Sequence, residues 1–405
     1  YGEAPNAPHT PRIDGLAAQG VLFRNAYTYP TCSASRAALL TGRYGRRNGM
    51  GGIVDLDSSE HELPLREVTV PEALERSGAN WSAAALGKWH LSGFDTPSAF
   101  RHPLLQGFDR ARGSIGNLPL TSRGERGSYA RHERNVDGRP EWSDTYATVE
   151  TTDDAIAALR ELPEPFFLWV AYNDVHEPLH TPPADVSGHK LGPRATEAQQ
   201  YEAMVAALDR EVGRLLDALP AALAARTTVV FVGDNGTEQA RILPPFDPRH
   251  GKATLYEGGT NVPLIVAGAG VTGRGTSEAL VHAVDLLPTV LDLAGVSSDG
   301  LALDGTSFAP ALDDPGAPTE RRFVYTERFA PIGAGPYNTD LVAVRGPRFK
   351  LLRNKRGGLE LYDLRGRDDD GPEVDRSGLS GAERREVEAL EQEMDRIGRT
   401  LRYEY

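Results

Sequence analysis

The chain has 405 residues, 40% hydrophobic and 25% charged, with 43 Gly, 29 Pro and a formal net charge of −13. That composition is globular, and the length exceeds a usual single core, so one large domain and one smaller one are expected. The acidic balance excludes a nonspecific nucleic-acid binder but not a local basic pocket for an anionic substrate.

No apolar run reaches the roughly 18–20 residues that span a bilayer. Cys32 is the single cysteine, which excludes an internal disulfide and leaves the compartment unread. The chain opens at Tyr1-Gly2-Glu3 without an initiator Met, so the absence of a signal peptide is uninformative.

Residues 1–12 read as a Pro-rich loop, and Ile13 to Gln19 as a short amphipathic helix with Gly20 as its stop. Val21-Leu22-Phe23 leads into Thr31-Cys32-Ser33-Ala34-Ser35-Arg36, a loop entering a helix that Gly42 ends. A helix N-terminus offers backbone N–H groups and partial positive charge, a natural seat for an anion. Cys32 there reads either as a small buried hydrophobe or as a reactive group, and the stretch alone leaves both open.

Val70 to Ser77 reads as a helix with Pro71 in its first turn. Trp81 to Leu86 reads as a buried strand that delivers Gly87-Lys88-Trp89-His90. Residues 93–145, rich in Gly, Pro and Arg, read as long surface loops. Tyr146 to Leu162 reads as a helix, and Phe166 to Ala171 as a buried strand ending in Asn173-Asp174-Val175-His176. A long helix is expected over Ala195 to Leu219. A strand over Thr227 to Val232 ends in Gly233-Asp234-Asn235-Gly236, another follows at Asn261 to Val266, and a helix at Asp285 to Leu293.

Strands alternating with helices predict an α/β fold around a largely parallel sheet. Ligands of such sheets bind beyond the carboxyl ends of the strands, so the polar clusters at 87–90, 173–176 and 233–236 are expected at one rim. Beyond Asp313-Asp314-Pro315-Gly316 short strands are expected at 323–327, 341–345, 348–352 and 359–362, with a charged helix over 382–400. The division predicted is a catalytic domain over 1–317 and a small antiparallel α+β domain over 318–405.

Four blocks then stand in order. Cys32-Ser33-Ala34-Ser35-Arg36 with Leu40-Thr41-Gly42-Arg43 resembles the signature C-x-(P/A)-S-R-x-x-x-L-T-G of the formylglycine-dependent sulfatases. Gly87-Lys88-Trp89-His90-Leu91 is similar to that family's G-K-W-H-L block, and Gly233-Asp234-Asn235-Gly236 to its metal-binding D-N-G block. Gly251-Lys252 with Tyr256-Glu257-Gly258-Gly259 resembles its G-K-x-x-x-Y-E-G-G block. One such block is weak; four in order, with His176 after the middle strand, are specific.

The resemblance implies an alkaline-phosphatase-like fold, a mixed and largely parallel sheet sandwiched by helices. It also implies that a maturation enzyme converts Cys32 to Cα-formylglycine. One hydroxyl of the hydrated aldehyde attacks the sulfur of a sulfate ester and the alcohol leaves. The second hydroxyl then expels sulfate and regenerates the aldehyde, a hard step split into two. Carried over residue by residue, Arg36 would hold the diol, and Lys88 and Lys252 would clamp the sulfate oxygens. His176 would protonate the leaving oxygen, and His90 would assist elimination as a base. Asp234 and Asn235 would be oxygen ligands of a divalent cation with residue 32 facing it. Oxygen ligation favours Ca²⁺ or Mg²⁺, and the family implies Ca²⁺. The substrate expected is a sulfated small molecule or glycan, and the family suggests a periplasmic or secreted protein.

Each residue also has a plainer reading. A lone histidine at a strand end is usually structural, which is the reading for His102, His132 and His189. D-N-G is more often a turn, and lysine usually a surface charge. The chain holds only five lysines, however, and two of them, Lys88 and Lys252, fall in the blocks. Glu257-Gly258-Gly259 reads as a structural turn, while His180 and His250 stand near enough in sequence to touch substrate.

Two departures from the family pattern stand out. The family's first strand ends in an Asp-Asp pair that supplies two metal ligands, and no such strand precedes the helix at 13–19. The expectation is a fragment of a longer parent that binds Ca²⁺ poorly and folds poorly on its own. Ala34 also stands where proline is commoner, which bears on the choice of maturation enzyme. Two alternatives remain at this point: a phosphonate monoester or phosphodiester hydrolase on the same scaffold, and a non-catalytic sulfatase-like module. Arginines at 110, 112, 123, 126 and 131 are compatible with a polyanionic substrate.

Overall fold

The computed structural model describes residues 7–57, 61–244, 246–401 and 403. Residues 1–6 of the loop expected over 1–12 lie outside them. Among the described residues no helix is long and apolar enough to cross a membrane.

In chain order, α1 (Pro11–Ala18) precedes β1 (Gly20–Tyr27) and α2 (Cys32–Thr41). α3 (Val70–Glu75) opens with a Thr69/Glu72 capping box and Pro71 in its first turn. β2 (Ser82–Gly87), β3 (Arg110–Gly113), β4 (His132–Val136) and β5 (Arg139–Ser143) follow, then α4 (Ala147–Glu161), β6 (Phe166–Ala171) and α5 (Glu197–Asp217). β7 (Thr228–Val232), β8 (Leu264–Gly268), β9 (Gly275–His282) and α6 (Leu286–Leu293) come next. β10 (Val324–Ala330), β11 (Thr339–Arg345), β12 (Phe349–Arg353), β13 (Leu359–Asp363) and α7 (Gly381–Thr400) complete the order.

The α/β expectation holds, with three sheets ordered β7-β8-β1-β9, β5-β4-β3-β2-β6 and β10-β11-β12-β13. Four strands were not expected. The region 93–145, read as loops, contains β3 and a β4–β5 hairpin. Its turn, Asp137-Gly138, has φ of +50° and +92°, as a tight two-residue hairpin turn requires. The charges of His-Glu-Arg-Asn-Val and Arg-Pro-Glu-Trp-Ser hid the strands. β9 is equally polar at its start and runs parallel to β1.

The chain forms two compact units built from interleaved segments. The first comprises 1–19, 54–229 and 267–270. In its sheet β2 pairs in parallel with both β3 and β6, while β3–β4 and β4–β5 are antiparallel. α4 packs on this sheet through Ala155 and Ala158 against Ala84, Leu86, Leu168 and Val170. Asp209 of α5, 3% exposed, accepts the backbone N–H groups of Arg12 and Ile13 at 3.0 and 2.9 Å, so it caps α1 from 196 or more residues away.

The second unit comprises 20–53, 230–266 and 271–405. It holds β1, β9, most of β7 and β8, and the antiparallel sheet β10–β13, against which α7 packs at β11 and β12. α2 is buried along its whole length, packs on α6, and ends at Gly42 with φ +65°. Lys350, unremarked in the sequence beyond its rarity, is 1% exposed. Its Nζ lies 2.7 Å from Glu257 Oε1, whose other oxygen accepts the Tyr27 hydroxyl at 2.9 Å. The Glu257 turn is therefore structural, as expected.

Candidate functional site

In the second unit the first turn of α2 places Cys32 and Arg36 on a buried helix start; Cys32 is 2% exposed. Thr31, extended at φ −142° and ψ 148°, is the N-cap, and the Ser35 hydroxyl donates to the Tyr29 carbonyl at 2.9 Å, which fixes the entry loop. The Arg36 guanidinium reaches across 198 residues to Asp234. Both Nε and Nη2 donate to Oδ2, at 3.1 and 2.8 Å.

Asp234 and Asn235 follow β7. Asn235 Nδ2 donates to the Gly236 carbonyl at 2.9 Å, which directs the amide. Its Oδ1 is buried and has no hydrogen-bond partner among the described residues. Such an oxygen is costly unless something not drawn from the protein meets it. Gly236 N–H donates to the Gly259 carbonyl at 3.0 Å, and a Cβ at 236 would lie 2.0 Å from the Gly258 oxygen. The D-N-G turn therefore docks on the E-G-G turn with no room for a side chain. Lys252 lies in the same unit. Its N–H donates to the Thr237 carbonyl at 2.7 Å, and the next residue, Ala253, donates to Pro30 at 2.8 Å, two residues before Cys32.

In the first unit Lys88, His90 and His176 follow β2 and β6, which are adjacent and in register from Ser82↔Phe166 to Gly87↔Ala171. Gly87 has φ +85°, and a Cβ there would sit 2.1 Å from the Ala171 oxygen. Glycine is required for the chain to turn so close to β6. Lys88, 2% exposed, donates from Nζ to Asn117 Oδ1 at 2.8 Å. His90 is 1% exposed with φ +59°, an uncommon left-handed conformation held by its N–H bond to the Ile115 carbonyl at 2.6 Å. Trp89 Nε1 donates to His102 Nδ1 at 3.1 Å, and His102 Nε2 meets the Leu63 carbonyl at 2.8 Å. His102 thus braces the turn as a neutral ring, its pKa lowered by burial.

His176 sits on the turn after β6. Asn173 of that turn bonds Ser114 Oγ, and the Tyr129 hydroxyl is shared between the carbonyls of Asn173 and His176 at 2.8 and 2.9 Å. The unit therefore ties the 87–90 and 173–176 clusters together through 114–115, as expected of neighbouring parallel strands. Asn117, Ser114 and Tyr129 lie in the stretch read as loops, and no sequence signal marked them. Three of the five loop arginines are committed to carboxylates: Arg110 to Asp137, Arg112 to Asp154 and Arg131 to Asp144. That weakens the polyanion reading of these loops. His132 bonds Glu150 at 2.9 Å, in keeping with its structural reading. His180 receives or donates a bond with the Tyr146 hydroxyl at 2.9 Å. His250 stacks on Tyr256 at 3.6 Å and lines a cavity of about 510 Å³ with Arg249 and Arg367.

The α/β fold, the buried helix headed by Cys32 and the oxygen pair at 234–235 define a chain of the alkaline-phosphatase-like class. The family model described as Sulfatase matches residues 2–296, and the chain belongs to the sulfatase family. It is 32% identical over 341 residues to arylsulfatase A of Homo sapiens, and 32% identical over 355 residues to N-acetylgalactosamine-6-sulfatase of Sus scrofa. These matches cover 78% and 80% of this chain, and the chain spans 65% of the length of each relative. A solved structure of Ps i-CgsB in complex with k-i-k-neocarrahexaose superposes with a TM-score of 0.81 at 26% identity, over 97% of this chain and 88% of the other.

Proposed function

We propose that this chain acts as a sulfuric-ester hydrolase on a sulfated carbohydrate or an aryl sulfate, through a formylglycine made from Cys32. The observation that carries the reading is Cys32 at the buried start of α2, one turn from an Arg36 that is bonded to Asp234 of the D-N-G block. Relatives named for aryl sulfates and for N-acetylgalactosamine 6-sulfate, and a neighbour solved with an oligosaccharide, support the substrate class.

As a hydrated aldehyde, residue 32 would supply two hydroxyls, one to displace the alcohol at sulfur and one whose deprotonation expels sulfate. The positive charge of Lys88 and Lys252 would balance the sulfate oxygens as charge builds. His176 would give its proton to the leaving oxygen, and His90 would take the proton of the second hydroxyl. Arg36, anchored by Asp234, would orient residue 32. The roles of Lys88, His90 and His176 rest on the motif match and on their shared turn region within the first unit.

Asp234 and Asn235 suit a hard cation, Ca²⁺ before Mg²⁺, because both offer oxygen and Asn235 Oδ1 lacks any other partner among the described residues. Such an ion would supply positive charge beside the nucleophile. Two donors fall short of the roughly six to eight oxygens Ca²⁺ takes.

The test is co-expression with a maturation enzyme, mass analysis of the Cys32 peptide, and turnover of p-nitrophenyl sulfate against p-nitrophenyl phosphonate esters. The expected peptide is about 18 Da lighter than the cysteine form, and sulfate turnover exceeds phosphonate turnover. Active enzyme with an unmodified Cys32 overturns the mechanism, and preference for phosphonate overturns the substrate class.

A further inference from the structure

The turn after β6 carries a buried carboxyl that no step above uses. Asp174 lies two residues before His176. Its Oδ2 accepts the Thr148 hydroxyl, and the Tyr146 phenol faces the carboxyl while bonding His180 Nε2 at 2.9 Å. Both hydroxyls come from the start of α4. The other oxygen, Oδ1, is shielded from solvent and has no hydrogen-bond partner among the described residues. The groups that face Asp174 are the phenols of Tyr129, Tyr146 and Tyr172 and the Thr148 hydroxyl, with His176 and His180 on its own turn.

Burial pushes the Asp174 carboxyl up to about 7, against the pull of the nearby Thr148 and Tyr146 hydroxyls. Neutral, the group suits this pocket of phenols and one hydroxyl. Ionised, it leaves a charged oxygen without a donor, a far costlier state than a neutral one. Relief comes from a shift of the turn that lets water reach Oδ1. That shift moves His176, because Tyr129 ties the carbonyls of Asn173 and His176 to one hydroxyl.

We propose that Asp174 is a positioning residue for His176: its neutral carboxyl, tied to Thr148 and enclosed by phenols, holds the 173–176 turn, and its ionisation releases it. The proposal rests on the reading of His176 as the proton donor of a sulfate-ester hydrolase. It predicts that the alkaline limb of activity belongs in part to Asp174.

The experiment measures kcat/KM for p-nitrophenyl sulfate from about pH 5 to 9 on the matured full chain, as wild type, Asp174→Asn and Thr148→Val. The His176 ring signal is followed in parallel by NMR. In the wild type, kcat/KM falls about tenfold per pH unit above the Asp174 ionisation, and the His176 signal shows that inflection. Asp174→Asn keeps a neutral group beside Thr148, so it loses the Asp174 share of the limb and the inflection. Thr148→Val removes a bond that favours the charged form, so the limb moves to higher pH. An Asp174→Asn variant with the wild-type limb and the wild-type His176 inflection overturns the proposal. A chain that turns over no sulfate ester overturns the hydrolase reading instead, and the NMR inflection still decides the role of Asp174.

Discussion

Replacing Gly236 by alanine puts the docking of the D-N-G turn to a direct test. The new Cβ would stand 2.0 Å from the Gly258 oxygen and 2.7 Å from the Gly259 Cα, where real Cβ contacts essentially never fall below 3.0 Å. Both obstacles are backbone, so no side chain can swing aside. The two turns must part by about 1 Å, and a displacement of that size at a reacting group costs on the order of 10²-fold in rate. The packing strain itself adds about 1–3 kcal/mol of destabilisation. The assay is kcat/KM of the matured variant on p-nitrophenyl sulfate, with urea unfolding run alongside. Gly15→Ala is the control: nothing lies within 4 Å of its Cβ position, inside α1. It is expected to leave activity unchanged and to add about 0.5–1 kcal/mol of stability. A Gly236→Ala enzyme that keeps its activity within threefold of wild type would refute the reasoning.

Lys350→Met leaves Glu257 and Asp370 buried without their ammonium, and a loss of about 3–5 kcal/mol is expected; a loss below about 1 kcal/mol in urea unfolding contradicts the network. Asp174 is held near 7 against an ordinary 3.8, so the native state keeps a proton that the unfolded chain releases. Wild-type stability should therefore fall as pH rises from about 4 to 7, by on the order of 4 kcal/mol at most since the residue as a whole is half-buried. Asp174→Asn should flatten that slope, and an unchanged slope argues against the shift. Calorimetry with Ca²⁺ should give a Kd no tighter than about 10⁻⁴ M from two protein donors, and Asn235→Ala should abolish the heat. Micromolar binding would show further ligands.

A continuous apolar run was the most legible signal: Phe166 to Ala171 was expected and found as β6 to the residue, while the strand expected over 261–266 is Leu264–Gly268. The hairpin at 132–143 was not legible, because its strands are mostly polar and charged and its one clear mark, Asp137-Gly138, sat in a stretch dominated by Gly, Pro and Arg. β9 escaped for the same reason at its polar start. Motif blocks located the candidate residues, but their fastenings lay outside any local pattern. The Arg36–Asp234 bond joins residues 198 apart, and Lys88 is held by Asn117, an asparagine no spacing singles out. Lys350 read as an ordinary charge because burial and a facing Glu257 are properties of the folded chain.

The interleaving of segments in the second unit sets a timetable. Cys32 heads a helix buried along its whole length, yet Asp234, which anchors Arg36, emerges 198 residues later. At roughly 5–20 residues per second, a ribosome needs about 10–40 s to deliver it. Under the proposed conversion of Cys32, that interval is when a maturation enzyme would reach the thiol of the nascent chain, before the finished unit closes over it. A slower codon stretch between the two would lengthen the interval, and fast refolding of the full-length chain would all but remove it.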